Sequence, residues 1–207
     1  WDFDEGPQTL GLVPEAYRER RVQNLCDGAD FAKLLGVDHV ITHMGFIPET
    51  ACDPLYLPFC DAVRKVAEYL KANGQYLLFE TGQETPVTLL RVIEDLGGEN
   101  VGINMDTANL ILYGKANSAD AITVFGKYVM DTHIKDGFYP TCGTKLGREC
   151  ALGEGLANMP LVVKKLNALG YMGPYIIERE ISGEEQIADI KSAKALLETI
   201  FAAENCE

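Results

Sequence analysis

Apolar runs of four to eight residues alternate along this chain with longer segments whose apolar residues recur at helical spacing. That alternation is the pattern of a parallel sheet joined by crossover helices. The runs predict strands over residues 38–44, 75–80, 101–106, 128–134 and 174–179. They are apolar at successive positions rather than alternate ones, as expected of strands covered by helices on one side and a barrel core on the other. Val63, Val66, Ala67 and Leu70 fall at i, i+3, i+4 and i+7, and Leu89, Val92, Ile93 and Leu96 repeat the spacing. Ala193, Leu196, Leu197 and Ile200 predict another such helix, and Leu161, Val162, Leu166 and Leu169 a looser one. Thr85-Pro86 reads as an N-cap followed by a first-turn proline, and Gly36, Gly74, Gly97 and Gly170 stand where a left-handed residue ends a helix. A long helix is predicted from Pro14 to Leu35, and Trp1-Asp-Phe-Asp4 reads as the tail of a further strand.

The predicted class is α/β, a β/α barrel. A closed eight-stranded barrel takes about 250 residues, and this sequence has 207. The expectation is one domain over residues 1–207, a partial barrel without the N-terminal strands. Its open sheet edges invite pairing with another chain, so a homo-oligomer is a further expectation.

Composition narrows the classes of function. With 31 acidic against 18 basic residues the net charge is −13, and the densest basic run, Arg18-Glu-Arg20-Arg21, is interrupted by an acid. A nucleic-acid backbone would meet repulsion, so no nucleic-acid partner is expected. No stretch of about 18 apolar residues predicts a membrane span, and no basic-then-apolar leader is present. The 6 cysteines form no CxxC pair, which together with the missing leader predicts reduced thiols and a cytoplasmic protein.

Four of the strands share an unusual ending. Tyr76-Leu-Leu-Phe-Glu80, Val101-Gly-Ile-Asn-Met-Asp106, Val129-Met-Asp-Thr-His133 and Tyr175-Ile-Ile-Glu178 each close on a side chain that binds metal. Residues at the C-terminal ends of parallel barrel strands converge on the barrel axis, where such folds build their active sites. One acid after one strand is ordinarily a turn residue or a helix cap. Four in succession, one of them histidine, point to a single divalent ion held by Glu80, Asp106, His133 and Glu178. Carboxylates suit hard cations, and one imidazole draws the preference toward Mn²⁺, with Mg²⁺, Co²⁺ or Zn²⁺ as alternatives.

These endings, in the forms Phe79-Glu80-Thr, Met105-Asp106-Thr-Ala-Asn109, Thr132-His133-Ile-Lys-Asp136 and Ile177-Glu178, occur with Gly153-Glu-Gly155 and Leu169-Gly-Tyr-Met-Gly173. In that order, over residues 37–180, they resemble the xylose isomerase-like superfamily of sugar phosphate isomerases and epimerases. The resemblance implies a sugar isomerase or epimerase acting on a keto-sugar or cyclitol through an enediolate. It further implies a metal held by those four residues, with Glu80 and Glu178 as catalytic acid and base and a small sugar as partner. By the same resemblance Arg148 and His43 contact substrate oxygens. Asn109 occupies a substrate-binding position where epimerases of the tagatose or psicose type often carry histidine, so a simple ketohexose 3-epimerase is not what the motifs imply.

Two other classes fit the same scaffold. One is a metal-dependent lyase or hydrolase of 3-keto glycosides, with His43 as base, and the other a barrel module that binds without catalysis. A zinc nuclease is disfavoured, because the chain has 3 histidines and no basic face. His39, at the start of its strand, is expected to have no function. Lys135 and Asp136 are expected to pair with each other or with Asp131, and Glu84 and Glu180 to be solvated. Trp1, Phe46, Tyr113, Phe138 and Tyr139 are candidates to line a sugar face or cap the core.

Overall fold

The computed structural model describes residues 5–204; the expected strand tail at Trp1–Asp4 lies outside them, as does Cys206. Five parallel strands form a half-barrel in the order β1-β2-β3-β4-β7. These are β1 (His39–Thr42), β2 (Tyr76–Glu80), β3 (Val101–Asp106), β4 (Val129–Ile134) and β7 (Tyr175–Ile177), each within the span its apolar run predicts. Between β4 and β7 a short antiparallel pair, β5 (Asp136–Phe138) and β6 (Arg148–Cys150), forms a separate sheet.

Crossover helices cover the outer face. The principal ones are α2 (Glu15–Leu34), α3 (Tyr56–Asn73), α4 (Pro86–Leu96), α6 (Ser118–Phe125), α7 (Met159–Ala168) and α8 (Glu184–Glu204), with single-turn α1 (Gly6–Thr9) and α5 (Asn109–Leu112). Helix α4 begins where its sequence dictates: Thr85 accepts from the Thr88 N–H at 3.2 Å, and Pro86 needs no hydrogen bond in the first turn. Helices α3 and α4 end on Gly74 (φ 76°) and Gly97 (φ 60°), both left-handed. Helix α7 departs from its expected stripe. It buries Met159, Val162, Val163 and Leu166, the i, i+3, i+4, i+7 set, whereas Leu161 and Leu169 face solvent.

Most of the core lies between sheet and helices, with Phe59, Val63, Val66 and Leu70 of α3 and Leu77 and Phe79 of β2 all fully buried. At the floor of the half-barrel a Cβ on Gly102 would stand 2.6 Å from the Met130 sulfur and 3.1 Å from a Leu78 methyl. Those two side chains fill the place a larger residue would take. Burial falls off toward the sheet margins: every residue of β3 is buried, those of β1 are half-buried, and Ile176 of β7 is 42% exposed. The five described cysteines are free thiols, and no helix among the described residues is long and apolar enough to cross a membrane.

This packing separates two leucines of opposite consequence. Leu70→Ala empties a fully enclosed site and is expected to cost about 2–5 kcal/mol, read as a lowered urea midpoint. Leu34→Ala, at a residue 84% exposed, is expected to shift stability by no more than about 0.5 kcal/mol.

Candidate metal centre

Strand tilt brings the four strand-end residues together. Glu80 is the register partner of Asn104, and Asp106, two residues further along β3, is the partner of His133. His133 in turn aligns with Ile176, two residues before Glu178. In a tilted barrel, residues at one height along the axis are offset in register, and Glu80, Asp106, His133 and Glu178 occupy one such layer. One ligand atom from each lies within 4.8 Å of those from the others.

Threonines hold these strand ends in line. The Thr81 hydroxyl donates to the Asp106 carbonyl and accepts from the Asp106 N–H, each at 3.0 Å. Thr107 does the same for Lys135 at 2.5 and 2.9 Å, and the Thr132 hydroxyl donates to the Pro174 carbonyl at 2.7 Å. The Thr81 and Thr107 hydroxyls continue the ladder past the strand ends beside Asp106 and His133, whereas that of Thr132 fastens the start of the β4–β7 pair.

The charges inside this frame are strongly coupled. His133 Nδ1 lies 3.1 Å from Glu80 Oε1 and 3.5 Å from Glu178 Oε2. Burial alone would lower the imidazole pKa, but its bonds to Glu178 and Glu80 outweigh burial and raise it to about 10. The bond from His133 holds Glu178 down at about 2, despite partial burial. Asp106 is driven the other way. Fully buried, it is pushed up to about 7 against the pull of Lys135.

Asp106 also shows what the cluster lacks. Its Oδ1 accepts from the Ala108 and Asn109 N–H groups, both at 2.7 Å, whereas its buried Oδ2 has no hydrogen-bond partner. A buried carboxylate oxygen without a donor is costly, and this one faces a cluster of two further carboxylates and an imidazole nitrogen. That is the donor set of a divalent-cation site, and the cluster can bind such an ion. Glu80, Asp106, His133 through Nδ1, and Glu178 would hold it.

Lys135 is not paired as the sequence led us to expect. It pairs with neither Asp136 nor Asp131. Its ammonium is buried 3.0 Å from Glu180, 3.4 Å from Glu178 and 3.7 Å from Asp106. Burial opposes its charge, but Asp106 and Glu178 outweigh burial and raise the pKa. A usable signal was present: Lys135 follows His133 by two residues, and a strand returns to the same face at that spacing. Asp131 instead faces His39 at 3.5 Å. Asp136 accepts four backbone N–H bonds at 2.8 to 3.0 Å, from Gly137, Gly153, Gly155 and Ala157, and so anchors the Gly153-Glu-Gly155 loop. Glu84 is not solvated. It is 2% exposed, accepts from the Gly82 N–H at 3.2 Å, and burial pushes it up to about 7.

His43 stands beside the cluster, with Nε2 3.7 Å from Glu80 Oε1 and Nδ1 3.4 Å from the Gln83 amide nitrogen. Burial lowers its pKa, and the Glu80 charge opposes that shift. With Asn109, Leu112, Tyr113, Leu146 and Glu180 it lines a cavity of about 330 Å³, so that His43 stands between this cavity and Glu80. Arg148 does not line that cavity. It is exposed on β6, with its guanidinium 4.8 Å from the centre of the Phe138 ring.

The sequence model of the family described as xylose isomerase-like TIM barrel matches residues 6–200. The chain belongs to this family. A xylose isomerase domain protein from Planctomyces limnophilus superposes with a TM-score of 0.88 at 36% identity, over 96% of this chain and 71% of that one. A D-tagatose 3-epimerase-like protein superposes with a TM-score of 0.75 at 21% identity, over 94% of this chain and 75% of its own. The uncharacterized protein MJ1311 of Methanocaldococcus jannaschii is 24% identical over 195 residues, which cover 88% of this chain. The chain spans 63% of that protein's length.

A cation in the cluster has two measurable consequences. At a hundredfold excess over Kd a single-site ion stabilises by about 2.7 kcal/mol. In a chain of this size that raises Tm by roughly 5–10 °C. Mn²⁺ is expected to produce this shift, and Asp106→Asn to abolish it. Because His133 must lose its proton to ligate through Nδ1, uptake at pH 7 releases one to two protons per ion, and affinity rises with pH. Calorimetry in buffers of different ionisation enthalpy reads the protons directly.

Proposed function

We propose that this chain is a metal-dependent sugar isomerase or epimerase that moves a proton at the carbon beside a keto group. The observation that carries the reading is the convergence of Glu80 and Glu178 on His133 Nδ1, with His43 linking Glu80 to a cavity of about 330 Å³. The family membership and a sugar-epimerase-like structural neighbour support the same reading.

A bound divalent ion, Mn²⁺ by the donor set, would supply Lewis-acid withdrawal of charge from the substrate carbonyl and an adjacent hydroxyl. The chain's own residues do the rest. One of Glu80 and Glu178, ionised, takes the proton from the C–H beside the carbonyl. The C–H electrons form the C=C bond, and the carbonyl π electrons move onto oxygen, giving an enediolate. The other glutamate, protonated, returns a proton to the carbon. Return to the opposite face inverts the centre, and that is why epimerisation calls for two carboxylates. His133 and Lys135, 3.5 and 3.4 Å from Glu178, keep that carboxyl anionic and ready to accept.

His43 and Asn109, which line the cavity, would bind substrate hydroxyls. Arg148 would have to leave the Phe138 ring to join them.

The reading is tested by incubating the Mn²⁺-loaded protein with a panel of ketoses in D₂O. Deuterium is expected at one carbon beside the carbonyl. Glu178→Gln is expected to lower the exchange rate about 100- to 10,000-fold, the span of acid–base contributions, with metal content measured alongside. Full exchange in that variant, or no exchange into any ketose by the loaded wild type, contradicts the mechanism.

A further inference from the structure

Asn104, in the middle of β3, is wholly buried, and neither its amide nitrogen nor its carbonyl oxygen has a hydrogen-bond partner. A buried amide unpaired at both ends is costly, and an apolar residue of the same size would relieve that cost. Its place in the strand limits what it can do. Asp106 lies two residues further on, so Asn104 shares the interior face one step below the cluster. Its register partners are Glu80 on β2 and Asp131 on β4. Partners in a parallel pair present their side chains to one face, about 4.8 Å apart. On β4 the pairing skips Met130, a bulge that brings Asp131 level with Asn104.

Elimination points to one of these neighbours. Beneath Asn104, the Met130 sulfur and a Leu78 methyl close over Gly102, an apolar floor that offers the amide no strong partner. Asp131 is already served, by the Thr132 N–H at 2.9 Å and by His39 at 3.5 Å. The free oxygen of Asp106, Oδ2, is the one a cation would take. Glu80 remains. Its Oε1 is approached by His133 Nδ1 at 3.1 Å and by His43 Nε2 at 3.7 Å. A cation held by His133 through Nδ1 would end the first of these contacts. A carboxylate that ligates a metal keeps its orientation through a donor on its other oxygen, and the Asn104 amide is an unused donor in register with it.

Resting on the reading of the cluster as a divalent-cation site, we propose that Asn104 is a positioning residue for Glu80. Its amide nitrogen donates to the Glu80 oxygen turned away from the ion, and so fixes the angle at which Glu80 meets ion and substrate. In the metal-free chain the same amide is idle and lowers stability.

Two substitutions of similar shape separate donor from packing: Asn104→Val, which has no donor, and Asn104→Thr, which has a hydroxyl. Each is read twice on the full chain, by thermal melting without metal and by calorimetric titration with Mn²⁺. Asn104→Val is expected to melt at or above the wild-type temperature, because an unpaired buried amide has been removed, and to bind Mn²⁺ at least tenfold more weakly. Asn104→Thr is expected to bind Mn²⁺ within about threefold of the wild type. Undiminished Mn²⁺ affinity in Asn104→Val overturns the inference, as does equal weakening in both variants. So does a melting temperature of metal-free Asn104→Val several degrees below wild type, since the amide would then be holding the fold rather than the ligand. If the wild type takes up no Mn²⁺, the cation reading falls and this role with it. If the wild type binds Mn²⁺ and exchanges deuterium while Asn104→Val binds the ion equally well, the role alone falls.

Discussion

Three carboxylates pressed against one another at the rim of a half-barrel repel, and the arrangement of the rim follows from how that repulsion is contained. Glu80, Asp106 and Glu178 each offer an oxygen within 4.8 Å of the others. Two positive groups stand among them, His133 between Glu80 and Glu178, and Lys135 beside Asp106 and Glu178. The balance is incomplete, because burial still holds Asp106 near neutral pH and leaves its Oδ2 without a donor. A divalent cation would complete it. The clasps made by Thr81 and Thr107 hold together strand ends that carry like charges.

Much of this was legible in the sequence because the signal repeats. Each of four apolar runs closes on a metal-binding residue, and a parallel strand order converts that repetition into convergence. The helical stripes of α3, α4 and α8 were equally plain, with Val63, Val66 and Leu70 fully buried as their spacing requires. What escaped depended on partners distant in sequence or on segments too short to carry a period. Strands β5 and β6 have three residues each, fewer than alternation needs. Asp136 finds three of its four donors 17 to 21 residues downstream, and nothing local announces that. Helix α6, eight residues long and capped by Asn117, was not among the expected elements. Glu84 sits in Gly82-Gln-Glu-Thr-Pro86, which reads as a polar turn, yet tertiary packing encloses it.

The cluster and the cavity beside it sit on different parts of the molecule. The four cluster residues are borne by strands or their immediate ends, where hydrogen-bonded neighbours fix them. The residues that line the neighbouring cavity lie on loops and a short helix: His43 past β1, Asn109 and Leu112 on α5, and Leu146 in the β5–β6 connection. A barrel can therefore keep one metal-assisted proton transfer while its loops set which sugar reaches it. His43 joins the two parts, touching Glu80 on one side and walling the cavity on the other.

The central claim is a single cation shared by four side chains, and anomalous X-ray scattering at the manganese edge tests it most directly. Crystals grown with Mn²⁺ should show one strong peak about 2.0–2.4 Å from Glu80, Asp106, His133 Nδ1 and Glu178. A peak elsewhere on the chain, or none at this cluster with Mn²⁺ in excess, would contradict the account.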